Sequence, residues 1–312
     1  MRVIVIGSYD EAGQGRFRSV APDVELTFAT DARSVAHLLG ETDGVIGALP
    51  DDLLERASRL RWLHSPAAGV DKELTPAMRS RDIALTSSAG NGGIPLAEHA
   101  MLLMMMLNRS VPRWVAAQRE HRWDRFTHGE LNGQTVGIVG LGNAGADLAL
   151  KAQAFHMRVL GMRRRNDLPV ANVDRLFAPD DVATFLGACD FVAVTTPRTP
   201  RTAGMFDQAA FAAMKPTAFF VCISRGGIAD DDALLDALRR GEIAGAGLDA
   251  HGTEPLPADS PFWDLPNVIV TPHNGATTAA TARRGLDITI DNLGRFARGE
   301  PLRNVVDKTE GY

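Results

Sequence analysis

The chain predicts an α/β protein of two doubly wound parallel-sheet domains, and three observations carry that expectation. Short apolar, β-branched runs alternate with helical patterns along most of its 312 residues, the signature of parallel strands covered on both faces. One run, Thr135-Val136-Gly137-Ile138-Val139, enters Gly140-Leu141-Gly142-Asn143-Ala144-Gly145 and an apolar helical pattern through Leu148, Ala152 and Phe155. The length suits two domains of ordinary size, each able to bury its own core.

Taken in order, residues 1–98 form the first domain, with strands expected at Val3–Ile6, Val45–Gly47, Leu60–His64 and Ile83–Thr86 and helices near Ala32–Leu39 and Asp52–Ala57. Gly13-Gln14-Gly15 reads as a turn, because Arg18 stands where a nucleotide loop would place its third glycine. Helices follow from Pro95 to about Arg109 and from Val111 to Arg122. Met101, Met104 and Met105, spaced by three and four, describe one packed helix face. The second domain, 99–283, holds the glycine loop, a strand at Arg158–Met162, and further strands at Phe191–Thr195, Ala218–Ile223, Gly245–Leu248 and Val268–Val270. Asp230 caps a helix that Gly241 stops. A last helix, Thr281–Ala297, returns with residues 284–312 to the first domain.

Composition narrows the function. The apolar fraction of 45% is that of a globular protein, and a net charge of -5 gives a nucleic-acid surface no support. The two cysteines, Cys189 and Cys222, sit in apolar strand-like runs without metal-ligand spacing and read as buried thiols of a reducing compartment. No secretory leader or membrane span is expected, and no metal, which points to a cytoplasmic protein.

The glycine loop names a cofactor class. Gly140 permits a tight turn, Gly142 lets backbone approach a pyrophosphate, and Gly145 allows close helix packing, while Asn143 and Ala144 open a helix whose free amides favour phosphate. The next strand ends in Arg163-Arg164-Arg165, where an acid would bind the ribose hydroxyls of NAD. Arginine cannot accept those bonds but pairs with the 2′-phosphate of NADP; the alternative is a solvated basic turn.

Three polar residues near later strand ends, Arg225, Glu254 and His273, fall where a doubly wound sheet binds ligands. Each has a plainer reading: a surface ion pair, a solvated carboxylate, a core histidine. Together they suit reduction of a 2-keto acid. Arginine offers a fork of donors to carboxylate and carbonyl oxygens, histidine gives the proton, and Glu254 is the candidate partner of its far nitrogen. His64, His99 and His251 are set aside, His99 as support for a hinge.

An ordered series of stretches resembles the D-isomer-specific 2-hydroxyacid dehydrogenases over nearly the whole chain: Ala67-Ala68-Gly69-Val70-Asp71, Leu96-Ala97-Glu98-His99, the glycine loop, Ser224-Arg225-Gly226, Gly247-Leu248-Asp249, Glu254-Pro255 and Thr271-Pro272-His273. The resemblance implies a flavodoxin-like substrate domain and a Rossmann cofactor domain with a cleft between them, and a catalytic Arg225, Glu254 and His273. It implies that amides around Ala68 and Gly69 grip the substrate carboxylate with Arg225 and His273, that Asp249 contacts the nicotinamide amide, and that Thr196, Pro197 and Ile223 line the cofactor. Homodimers through the cofactor domain, with residues 100–125 at the interface, are usual in the family.

Leu60-Arg61-Trp62-Leu63 and Asn304-Val305-Val306-Asp307 resemble the glyoxylate/hydroxypyruvate reductase subgroup. The chain departs from the family's pattern at Cys222, where asparagine is common, at Ala144, and at His251, where an aromatic or apolar residue is usual. NADP(H) is the favoured cofactor, with NAD(H) as the alternative, and the reductive direction follows from it. Substrate selectivity is expected near Gly47–Asp51 and Trp62. A phosphoglycerate-type NAD-dependent dehydrogenase and, more remotely, a dinucleotide-sensing corepressor remain open, whereas formate dehydrogenases would carry glutamine at Glu254.

Overall fold

The computed structural model describes residues 1–164 and 168–312. It divides into two compact units, Met1–Asn91 with Thr278–Tyr312, and Gly92–Thr277.

The first unit opens with β1 (Arg2–Ile6), α1 (Glu11–Val20) and β2 (Glu25–Ala29). Gly13-Gln14-Gly15 is therefore part of a helix and not the expected turn. Asp10 caps α1 by accepting from the Gly13 amide, and burial of Gly13 and Phe17 offsets the conformational cost of two glycines, roughly 1 kcal/mol each. The strands β3 (Gly44–Ile46), β4 (Trp62–Ser65) and β5 (Ala84–Ser87) follow, with short helices α2 (Asp51–Leu54) and α3 (Pro76–Ser80). The expected helix near Ala32–Leu39 is a 3-10 helix, Arg33–Glu41. All five strands run parallel in the order β2-β1-β3-β4-β5. Trp62 belongs to the core: fully buried, it packs on Phe296 at 4.7 Å and donates through Nε1 to Thr86. The sequence places substrate selectivity near Gly47–Asp51 and Trp62, and the Trp62 side chain itself is taken up by the core.

The second unit begins with α4 (Gly93–Asn108) and α5 (Val111–Arg119). Its core includes β6 (Thr135–Val139), α6 (Asn143–Ala154) and β7 (Arg158–Met162), then β8 (Arg175–Phe177), α7 (Val182–Ala188), β9 (Phe191–Val194), α8 (Gln208–Ala212), β10 (Phe219–Cys222), α9 (Asp231–Arg240), β11 (Gly245–Leu248) and β12 (Val268–Val270). Among the described residues its strands run parallel in the order β12-β11-β10-β9-β6-β7-β8. Every residue of β6 is buried because the sheet is covered on both faces, with α4 and α6 packed together on one of them. Met101 and Met104 are buried in that layer, and Met105 packs against it. Asp230 caps α9 by accepting from the Ala233 amide, and Gly241 ends it at φ 69°. Cys189 and Cys222 are both buried, and burial pushes the Cys189 thiol up to about 12.

The closing helix α10 (Ala279–Arg298) packs on α1 in the first unit. The division falls at 91/92 and 277/278 instead of the expected 98/99 and 283/284. Both shifts follow from helix continuity: α4 stays whole in the second unit, and Thr278 caps α10 by accepting from the Thr281 amide. No helix among the described residues is long and apolar enough to cross a membrane.

Candidate active site

The strand order reverses beside β6, whose neighbours are β7 and β9, and ligands of such sheets bind beyond the strand ends at that point. The glycine loop lies there. Gly140 has φ 94°, and a Cβ on it would come within 2.8 Å of the Thr196 backbone. A Cβ on Gly145 would sit 2.1 Å from the Gly140 carbonyl, so only glycine lets α6 begin this close to the strand. A Cβ on Gly142 would meet no atom within 4 Å. The space above Gly142 is the room a pyrophosphate needs, and Gly142 starts α6 with no side-chain cap on the first amides. The Thr195 hydroxyl donates to the Gly140 carbonyl at 2.6 Å, pinning the loop to the chain that continues into Thr196 and Pro197. Asn143 is exposed and Ala144 half-buried. These residues fit a dinucleotide.

Arg163 follows β7. Its Nη2 donates to the Leu168 carbonyl, and its buried Nε has no hydrogen-bond partner among the described residues. A guanidinium at this strand end fits an anionic group on the ribose. Arg164 is exposed, and Arg165 lies outside the described residues.

The candidate catalytic residues Arg225, Glu254 and His273 come from three loops of the same unit. Arg225, half-buried, follows β10 and donates from Nη1 to its neighbour Ser224 at 2.7 Å. A Cβ on Gly226 would lie 1.8 Å from the His251 carbonyl, so the Arg225 loop runs directly against the segment leading to Glu254. His273 Nδ1 lies 2.8 and 2.9 Å from the two Glu254 oxygens. Burial pushes the Glu254 carboxyl up, but bonds from the His251 amide and from His273 outweigh it and hold the group below its ordinary value. An ionised carboxylate only accepts, so Nδ1 carries a proton and Nε2 is the nitrogen available for transfer.

Two histidines set aside in the sequence support this pair. The His251 amide donates to Glu254 Oε1 at 3.0 Å, and its Nε2 donates to the Thr271 carbonyl at 2.9 Å. His99 Nε2 lies 2.9 Å from Thr271 Oγ1 and 3.5 Å from Asp249. Asp249 is fully buried, and its carboxylate accepts from the Thr271 hydroxyl at 2.6 Å and from the Asn274 and Gly275 amides at 3.1 and 2.9 Å. It thus grips both sides of His273, which adopts φ 51° in the turn between. The spacing of His251 three residues before Glu254 was the one sequence signal for this support. Ile223, expected to line the cofactor, has its side chain buried in the core of the unit. Ala68 and Gly69 lie in the first unit, in the loop after β4.

Residues 101–275 match the model of the D-isomer specific 2-hydroxyacid dehydrogenase NAD binding domain. The chain belongs to the D-isomer specific 2-hydroxyacid dehydrogenase family. Within the family it is 33% identical over 258 residues to a D-3-phosphoglycerate dehydrogenase of Methanocaldococcus jannaschii, an alignment covering 82% of this chain and 49% of that protein. The chain thus spans about half the length of that curated relative. A family protein of known structure from Aeromonas salmonicida superposes with a TM-score of 0.87 at 30% identity, covering 98% of this chain and 99% of that one. The NADPH-dependent glyoxylate/hydroxypyruvate reductase of Sinorhizobium meliloti, solved with NADP and sulfate, gives the same TM-score of 0.87 at 30% identity, over 100% of this chain and 99% of the other.

Proposed function

We propose that this chain reduces a small 2-keto acid, of the glyoxylate or hydroxypyruvate type, to the D-2-hydroxy acid with NADPH. The observation that carries the reading is the Glu254–His273 pair, set against the Arg225 loop in the unit that holds the glycine loop.

Gly140, Gly142, Asn143, Ala144 and Gly145 would hold the reduced cofactor, which would supply hydride to the carbonyl carbon. Arg163 and Arg164 would favour its 2′-phosphate and Thr196 and Pro197 would border it, while Ile223, with its side chain in the core, and the buried Asp249 would act from behind, Asp249 by holding the His273 turn. Arg225 directs guanidinium donors at the carboxylate and carbonyl oxygens, and the Ala68 and Gly69 amides grip the carboxylate. His273 Nε2 gives a proton to the carbonyl oxygen as that oxygen becomes a hydroxyl. Glu254 fixes the ring's orientation and compensates its positive charge.

The S. meliloti enzyme's name supports this substrate and cofactor. A second reading, an NAD-dependent phosphoglycerate-type dehydrogenase, is supported by the name of the M. jannaschii relative. Steady-state assays of glyoxylate, hydroxypyruvate and 3-phosphohydroxypyruvate with NADPH and NADH separate them. The proposal expects the highest kcat/KM for an unphosphorylated keto acid with NADPH; a preference for 3-phosphohydroxypyruvate and NADH selects the second reading.

We also propose a homodimer through the second unit. Leu102, Trp114, Val115 and Trp123 are exposed on and just after α4 and α5, Trp123 by 91%, an arrangement that suits an interface. Light scattering that gives a monomer mass at micromolar concentration refutes it.

A further inference from the structure

His64 is fully buried at β4 and lies in the unit without the acid–base residues. Its Nδ1 is 2.8 Å from Thr86 Oγ1 on β5, and its Nε2 is 2.9 Å from Thr289 Oγ1 on α10. The neighbours decide where the ring proton sits. Trp62 Nε1 donates to the Thr86 oxygen at 2.8 Å, and the Thr289 hydroxyl donates to the Gly285 carbonyl at 2.8 Å. Thr289 can therefore accept from His64 Nε2, which leaves Nδ1 to accept from the Thr86 hydroxyl. One directed chain runs from Trp62 through Thr86, His64 and Thr289 to Gly285, joining the sheet to α10.

The same cluster holds the loop that leaves β4. The Ser88 amide donates to the Ser65 carbonyl at 3.1 Å and the Ala67 carbonyl at 2.9 Å. The Ser88 hydroxyl is 3.3 Å from the Gly285 carbonyl and 3.4 Å from His64 Nε2. Ser65 also donates to Glu73 at 2.7 Å. A Cβ on Gly285 would lie 3.7 Å from the Pro66 carbonyl, which places α10 close along the loop.

We propose that His64 is a positioning residue for residues 66–69, registering that loop against α10 so that its amides meet the keto-acid carboxylate preorganised. The inference rests on the reading of Ala68 and Gly69 as the carboxylate grip. Amide donors aimed by a rigid frame bind an anion without the ordering cost that a loose loop would incur. Apolar replacement of His64 removes the frame's central link and leaves the hydride and proton-transfer residues in place.

Steady-state kinetics on four variants, with NADPH and the preferred keto acid, test this. His64→Phe and Thr289→Val are expected to raise the keto-acid KM about tenfold to a hundredfold, with kcat within about threefold and NADPH affinity unchanged. His64→Gln, whose amide can still donate to Thr289, is expected to recover most of the loss. An unchanged keto-acid KM in Thr289→Val and in folded His64→Phe, with only the melting temperature lowered, overturns the proposal. Should His64→Phe not fold, the near-isosteric Thr289→Val decides alone. Ala68→Pro removes one proposed carboxylate donor and separates the two layers of the argument. An unchanged KM there refutes the carboxylate grip itself, whereas a raised KM there beside unchanged KM values in the other variants refutes only the role of His64.

Discussion

His273 Nδ1 lies within hydrogen-bond distance of both Glu254 oxygens although the two residues are 19 positions apart. This spends one ring nitrogen on the carboxylate, so the proposed proton transfer falls to the other, Nε2. His273→Ala is expected to lower kcat about a hundredfold to ten-thousandfold, the usual worth of a positioned general acid. Glu254→Gln keeps an acceptor but removes the charge, and a smaller loss in kcat is expected. Stopped-flow NADPH binding should be unaltered in both. Turnover unchanged in His273→Ala would remove the residue from the mechanism.

Arg163 tests the cofactor preference. Arg163→Asp restores an acceptor for ribose hydroxyls and places a negative charge where the 2′-phosphate would sit. The ratio of kcat/KM for NADPH to that for NADH is expected to fall about tenfold to a hundredfold, the worth of one charge-assisted bond of roughly 1.5–3 kcal/mol. A ratio that stays constant assigns Arg163 to the fold alone.

Gly142 and Gly145 make opposite predictions from adjacent turns. Gly142→Ala adds a methyl that meets no protein atom, so the melting temperature should hold while the NADPH dissociation constant rises at least tenfold, about 1.4 kcal/mol or more. Gly145→Ala drives a methyl into the Gly140 carbonyl and should cost stability by about 1–3 kcal/mol. Calorimetry and fluorescence titration on both variants read the two quantities separately.

Stability should fall on mild acidification because of His64. Burial pushes its pKa down from 6.5 to about 4, so below its ordinary value the unfolded chain binds a proton that the folded chain refuses. The groups bonded to it, Thr86 and Thr289 with Ser88 beside them, are uncharged hydroxyls. The folded state is expected to lose stability progressively from pH 6.5 to about 4, by up to about 3 kcal/mol at about 1.4 kcal/mol per unit. Glu254, held below the ordinary carboxylate value, adds a loss only at more acid pH. Urea melts of the wild type and His64→Gln check this: the variant should be flatter between pH 6.5 and 4.5, the range above Glu254's ordinary value.

Local chemistry made part of this molecule legible. The strand Arg158–Met162, the cap at Asp230 and the stop at Gly241 rest on neighbours in sequence, and the structure has them where their residue types point. The helix over Gly13–Gly15 is not legible in the sequence because its propensity is poor; packing of α1 on α10, with Arg16 bonded to Asp287, 271 residues away, overrides it. Trp62 packs on Phe296 from the returning helix, a contact that its own neighbours in sequence do not announce.

By itself the sequence determined the glycine loop, the strand entering it and the identities of Arg225, Glu254 and His273, because residue type and close spacing carry those features. Only the tertiary structure decided that Asp249 clamps the turn of His273, that His251 anchors Glu254, and that His64 links the sheet to α10. The physical reason is that each is a hydrogen bond whose worth depends on burial and on a partner brought close by chain folding, and a linear pattern encodes neither.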